Sequence, residues 1–329
     1  MLEKCMIAKR LDKKLAIVTG AHSGTGLELV CELALRGCRV IMTGSDLKVL
    51  NAAKAKILDK CSPENHAMKK CNHDDVVLKK LTPIETEFIS TAQLDLGSFE
   101  SIERFLTETI SKIDCLDFLI CNETYKTNSF AETTDGIELQ MGCNHFGHYI
   151  LIEGLMNLLK KSPSSKIVIH SARDHAKGRI EKLEIEPVKF NGQQCFANSK
   201  LAQVMFGRYV NSELKNRASK DTTYRSVKVA IVEIEEVTGA LQKSKLSLLL
   251  GCGMVKPVKT PWDCIQNSLF GILDDNLQSG SYLIDSAISQ PAEVARDIVQ
   301  CEKLARDTYN VISTYKSSVV IDKYLKFTN

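Results

Sequence analysis

Residues 15–26 read LAIVTGAHSGTG, and the eight from Thr19 to Gly26 decide the fold. The apolar run before them suits a strand buried on both faces, and the stretch after them has helical periodicity. Between the two, Gly20, Gly24 and Gly26 stand where a strand must turn sharply into a helix. A β-carbon there would obstruct the close approach of backbone to an anion. The helix start would offer that anion free N–H groups and the positive end of its dipole. A glycine triplet alone says little. A strand before it and a helix after it make it the first turn of a dinucleotide-binding βα unit.

The same rhythm continues outward. Further strands are predicted at 39–44, 89–94, 116–121, 165–171, 226–234 and 280–285. Helices fill the intervals, clearest at 136–160, 195–216 and 291–315, and a second helix follows Ser45 or Asp46 as N-cap. Repeated βα units of this length predict a parallel sheet covered on both faces. Residues 59–88 interrupt the pattern with a connection far longer than usual. They hold Cys61, His66, Cys71 and His73, whose spacing matches no common zinc site, so the segment is read as a solvated, partly mobile insertion without metal.

Composition excludes several classes. The chain has 329 residues, 44% hydrophobic and 25% charged, with a net charge of +3 spread without a nucleic-acid-binding stripe. Its twelve cysteines are dispersed in a chain too long to need stapling, which predicts reduced thiols in the cytoplasm. No apolar run is long enough to span a bilayer. The run at 246–255 is expected to be a flap over a pocket or a peripheral membrane contact.

Several motifs together resemble the short-chain dehydrogenase/reductase family. The TGxxxGxG loop agrees, and residues 133–151, 162–180 and 279–291 resemble its retinol dehydrogenase-like branch. The resemblance covers roughly 13–310 apart from the insertion. It implies a Rossmann-type α/β fold, a doubly wound, mostly parallel seven-stranded sheet in one domain over 13–315. A small lid at 239–275 and a tail at 316–329 complete that expectation.

The resemblance also implies residue roles. Gly20, Ser23, Gly24, Thr25, Gly26, Asp95, Asn122 and Lys200 would bind NAD(P), with NADP slightly favoured. Asn144 would support a water relay, and Lys200 would depress the pKa of a neighbouring tyrosine, which protonates a carbonyl as hydride arrives. That tyrosine position is Phe196, four residues before Lys200 in CFANSK, and the position of the carbonyl-polarising serine is Ala172. Ser171, one residue earlier on a strand, is expected to point away from the pocket.

Further departures surround the cofactor path. Asn-Asn-Ala-Gly becomes CNET, placing Glu123 and Thr124 where small residues are expected. A Pro-Gly turn becomes Ile234-Glu235, flanked by Glu233 and Glu236, and an expected threonine becomes Gly239. A carboxylate about 4 Å from a phosphate repels it by roughly 1 kcal/mol in water and about 4 kcal/mol at an effective dielectric near 20.

Three readings therefore stand. The first is a catalytically impaired homologue that binds a dinucleotide as a sensor or interaction module. The second is an active oxidoreductase on an apolar retinoid or steroid with a substituted proton donor, a histidine such as His170 among the candidates. The third is a cofactor-free structural subunit. The resemblance further implies homodimer pairing through helices 136–160 and 195–216.

Overall fold

A computed structural model describes residues 4–62, 75–234 and 259–315 of the chain. Its sheet has eight strands in the order β3-β2-β1-β4-β5-β6-β7-β8. The strands are β1 (Leu15–Val18), β2 (Arg39–Gly44), β3 (Ile89–Gln93), β4 (Phe118–Cys121), β5 (Ser165–Ser171), β6 (Val227–Glu233), β7 (Ser281–Ile284) and β8 (Ala287–Ser289). All neighbours pair in parallel except β7 and β8, which form an antiparallel hairpin. The seven predicted strands are present. The eighth is a correction, a three-residue edge strand too short to leave a period-two signal. Its turn places Asp285 and Ser286 at φ of 47° and 59°.

Alternation along the strands sorts side chains into two layers. Ile17, Leu119, Ile167, Ile169 and Ile231 face one apolar cluster. That side is covered by α3 (Phe99–Lys112), α4 (His148–Lys161), α5 (Gly192–Arg217) and α7 (Ile298–Thr314). Ala16, Val18, Ile120, Val168 and Val232 face the other, under α1 (Gly24–Leu35), α2 (Leu47–Lys60) and α6 (Gln266–Leu273). Both faces being buried explains why the strands read as continuous apolar runs.

Four local expectations are resolved or changed. Of the two N-cap candidates for α2, Asp46 takes the role: its side chain accepts from the amides of Lys48 and Val49, at 2.7 and 3.2 Å. The helix expected over 136–160 opens with one turn at Leu139–Met141, passes through a π turn at Gly142–Gly147, and becomes α4 only at His148. The insertion is not solvated at its flanks, where Cys61, Val77, Leu81 and Ile84 are buried in the second cluster. Residues 63–74, with His66, Cys71 and His73, lie outside the described residues, as do 235–258 and the tail at 316–329. Within the span expected as a lid, Pro261–Leu273 packs on the sheet, where Ser268 meets His170 and Gly271 lies against Ala230 and Leu283.

Candidate functional site

The strand order reverses between β1 and β4, and their carboxyl ends diverge there into a crevice, the usual ligand position in such sheets. A cavity of about 660 Å³ occupies it. Gly20, Ser23, Gly24 and Thr25 line one end, Asn122 to Lys126 form the floor, and His170, Ser171, Ala172, Phe196 and Lys200 close the other.

Backbone geometry explains the glycines. Gly20 and Gly24 have φ of 61° and 53°, in the region that penalises a side chain. A β-carbon on Gly26 would lie 2.5 Å from the Gly20 carbonyl oxygen and 2.6 Å from Asn122 Nδ2. Ser23 precedes α1 in extended conformation without capping it, and no acid occupies the first turn. The start of α1 thus lines this end of the cavity without a side-chain cap. Gly26 packs beneath the loop and does not itself line the cavity.

A hydrogen-bonded hub holds the floor to that loop. Thr19 Oγ1 accepts from the amides of Asn122 and Glu123, both at 2.9 Å, and meets His148 Nε2 at 2.9 Å. Asn122 Nδ2 donates to the Thr19 carbonyl at 2.7 Å, while its Oδ1 accepts from Thr25 Oγ1 at 2.9 Å. Asp95 lies beyond the lining; its Oδ1 accepts from the Gly97 amide at 2.8 Å.

Asn144, on the π turn, clamps the same floor. Its Oδ1 accepts from the Tyr125 amide at 2.6 Å, and its Nδ2 donates to the Tyr125 carbonyl and to Ser199 Oγ, both at 2.9 Å. Its own carbonyl meets His148 Nδ1 at 3.0 Å. Lys200 Nζ donates to Thr124 Oγ1 at 2.7 Å and to Gln203 Oε1 at 2.9 Å. Thr124 and Gln203 are partners that sequence reasoning missed. Thr124 was visible as a substitution, but its pairing with Lys200 spans 76 residues.

Phe196 and Lys200 lie one helical turn apart and share the cavity wall, as their spacing predicts. Phe196 is buried, with Lys126 Nζ 4.3 Å and Lys200 Nζ 5.7 Å from its ring centroid. Lys126 carried no sequence signal, because only the path of the loop after β4 brings it there. Ser171 Oγ donates to the Lys200 carbonyl at 3.1 Å. Its hydroxyl is turned toward the backbone of α5.

The neighbouring histidines all have partners. His170 Nε2 meets Ser268 Oγ at 2.8 Å, His145 Nε2 meets Thr308 Oγ1 at 2.8 Å, and His175 Nε2 accepts from the Ala292 amide at 3.1 Å. Burial pulls His145 and His170 down to about 3 and His148 to about 4, so all three are neutral near pH 7. Glu233 is turned from the cavity: Tyr282 donates to its Oε2 at 2.8 Å and Arg173 lies 3.6 Å from its Oε1. Glu235, Glu236 and Gly239 lie outside the described residues.

Comparison with known proteins gives consistent similarities. The chain is 29% identical to human retinol dehydrogenase 11 over 311 residues, covering 93% of this chain and 87% of that protein. Human retinol dehydrogenase 13 is 28% identical over 319 residues, covering 96% and 89%. A short chain dehydrogenase from Salmonella enterica serovar Typhi has a TM-score of 0.57 at 19% identity, covering 87% of this chain and 100% of that one. Another, from Shigella flexneri and complexed with NADP, has a TM-score of 0.58 at 17% identity, covering 85% and 100%. No protein-family model matches the chain.

Proposed function

This chain belongs to the short-chain dehydrogenase/reductase family, in its retinol dehydrogenase-like branch, and we propose that it binds a nicotinamide dinucleotide while lacking the ordinary reductase chemistry. It would then act as a dinucleotide sensor or interaction module. The residues fit such a ligand at its diphosphate end, where a β-carbon on Gly26 would strike the Gly20 carbonyl and the α1 amides stand open. Gly20, Ser23, Gly24 and Thr25 would hold the diphosphate, Asp95 and Asn122 the adenosine side, and Lys200 the far ribose. The dinucleotide, when bound, supplies or accepts a hydride.

One observation carries the loss of chemistry. The cavity wall beside Lys200 presents the phenyl ring of Phe196 and the methyl of Ala172, while Ser171 donates its hydroxyl to backbone. Removal of a general acid typically costs ~10²–10⁴ in rate, and removal of an oxyanion donor ~10²–10³. Lys200 is in addition held by Thr124.

Titration with NADPH and NADH, followed by thermal shift, tests binding and separates this reading from a cofactor-free subunit. A single-turnover assay with NADPH and all-trans retinal tests the chemistry. Binding without reduction is expected; turnover abolished by Lys200→Ala would overturn the reading.

A second reading is favoured by a specific observation. Tyr125 and Lys126 both line the cavity, with Lys126 Nζ 4.3 Å from the Phe196 ring centroid, so either could deliver a proton to a carbonyl on an active oxidoreductase. Turnover lost in Tyr125→Phe or Lys126→Ala would establish that enzyme. NADP over NAD and a cytoplasmic, membrane-peripheral location rest on the branch and the dispersed cysteines. A homodimer paired through α4 and α5 is less well supported, since α7 packs along α5 and α4 is almost wholly buried within the chain.

A further inference from the structure

Glu123 stands on the floor of the cavity, between the phosphate loop and the end of β3. Its amide is held by Thr19 Oγ1 at 2.9 Å, which fixes where the side chain begins. A β-carbon on Gly20 would fall 2.9 Å from both Cα and Cβ of Glu123 and 3.1 Å from its Cγ, so the side chain runs directly along the glycine loop. Its Oε2 is buried without a hydrogen-bond partner among the described residues. This carboxyl therefore lies against the loop expected to carry a diphosphate, with an unmet acceptor.

We propose that Glu123 is a proton-operated gate on dinucleotide binding: the neutral carboxyl admits the anionic ligand and the carboxylate expels it. The inference rests on the dinucleotide reading above and names a regulation of that same site. Protonated, the group adds no charge beside the diphosphate and offers an O–H donor. Ionised, it sets a buried negative charge against another in a region that screens poorly.

The surrounding groups leave the gate in working range. Asp95 faces it from the end of β3 and Cys143 from the π turn, and neither brings positive charge. His22 sits in the phosphate loop, and α1 has no acid in its first turn. On the far side, Lys200 is bonded to Thr124 and Gln203, and Lys126 lies over Phe196. Burial first, and Asp95 second, push the Glu123 carboxyl up to about 7.

NADH is the suitable probe, because its diphosphate does not titrate near neutrality. Its dissociation constant is measured between pH 6 and 8.5 for the wild-type chain, Glu123→Gln and Glu123→Ala, with a thermal melt of each. Wild-type affinity is expected to fall by about tenfold per pH unit above the carboxyl's pKa, the slope of one linked proton. Both variants should bind with no such slope, Glu123→Gln about as tightly at pH 8.5 as the wild type at pH 6. A flat wild-type profile with measurable binding removes the gate and leaves the dinucleotide reading standing. So does a slope that persists in Glu123→Gln, which would assign the proton to His22 or another group. A folded Glu123→Gln that binds at no pH while the wild type binds also overturns the gate. Absence of binding by all three at pH 6 overturns both inferences.

Discussion

Single atoms decide most of what this cavity can do. Gly26→Ala would drive a methyl into the Gly20 carbonyl and the Asn122 amide. It is expected to cost about 1–3 kcal/mol and to abolish dinucleotide binding, read by a thermal melt and an NADH titration. Glu123 gives a second prediction without any ligand. Its folded pKa, about 7, is raised above the ordinary carboxylate value, so its contribution is favourable below the unfolded pKa and is lost as pH rises through about 7. Glu123→Gln should gain stability over the wild type by about 1 kcal/mol more at pH 8 than at pH 6, in urea titrations at both values. Phe196→Tyr combined with Ala172→Ser restores the missing hydroxyls. A gain of ~10² or more in single-turnover reduction is expected, given that Glu233 is already turned away.

Among elements, the π turn at Gly142–Gly147 has a defined task. It directs Asn144 into the loop after β4 and at the same time offers the Asn144 carbonyl to His148, whose ring reaches Thr19. One side chain thereby ties β4's loop, the π turn and α5 together, and the glycine loop is linked through Thr19. Asn144→Ala leaves the Tyr125 amide without its partner. The loss is expected to be about 2–4 kcal/mol, with weakened dinucleotide binding because the cavity floor loosens. Equal melting temperatures for variant and wild type would show that the clamp carries no load.

At the scale of the whole molecule, acid sensitivity follows from the buried histidines. His145, His148 and His170 have folded pKa values near 3, 4 and 3, below the unfolded 6.5. The unfolded chain therefore takes up protons first, and stability present above pH 6.5 is lost as pH falls. Three such groups give a slope of about 4 kcal/mol per pH unit once well below 6.5. Since domains carry only about 5–15 kcal/mol in total, unfolding near pH 5 is expected in a circular-dichroism titration. A chain still folded at about pH 4 would contradict those three values. Assembly belongs to this scale too. Helix α5 packs against α7 and α4 is almost wholly buried within the chain, so sedimentation should show no dimer that depends on α4 or α5 surface residues.

Periodicity and glycine spacing were enough to determine the sheet, its seven parallel strands and the glycine turn into α1, because these depend on short-range backbone geometry and on burial of both sheet faces. The sequence likewise determined that Phe196 and Lys200 share a helix face, since helical pitch alone puts residues four apart together. Tertiary structure alone decided that Lys200 is held by Thr124, that Lys126 stands over Phe196, that Ser171 serves the backbone, and that Glu233 pairs with Tyr282. Those pairings join residues separated by 29 to 76 positions. Their partners are chosen by where loops cross the ends of the sheet, and no local pattern of the chain encodes that.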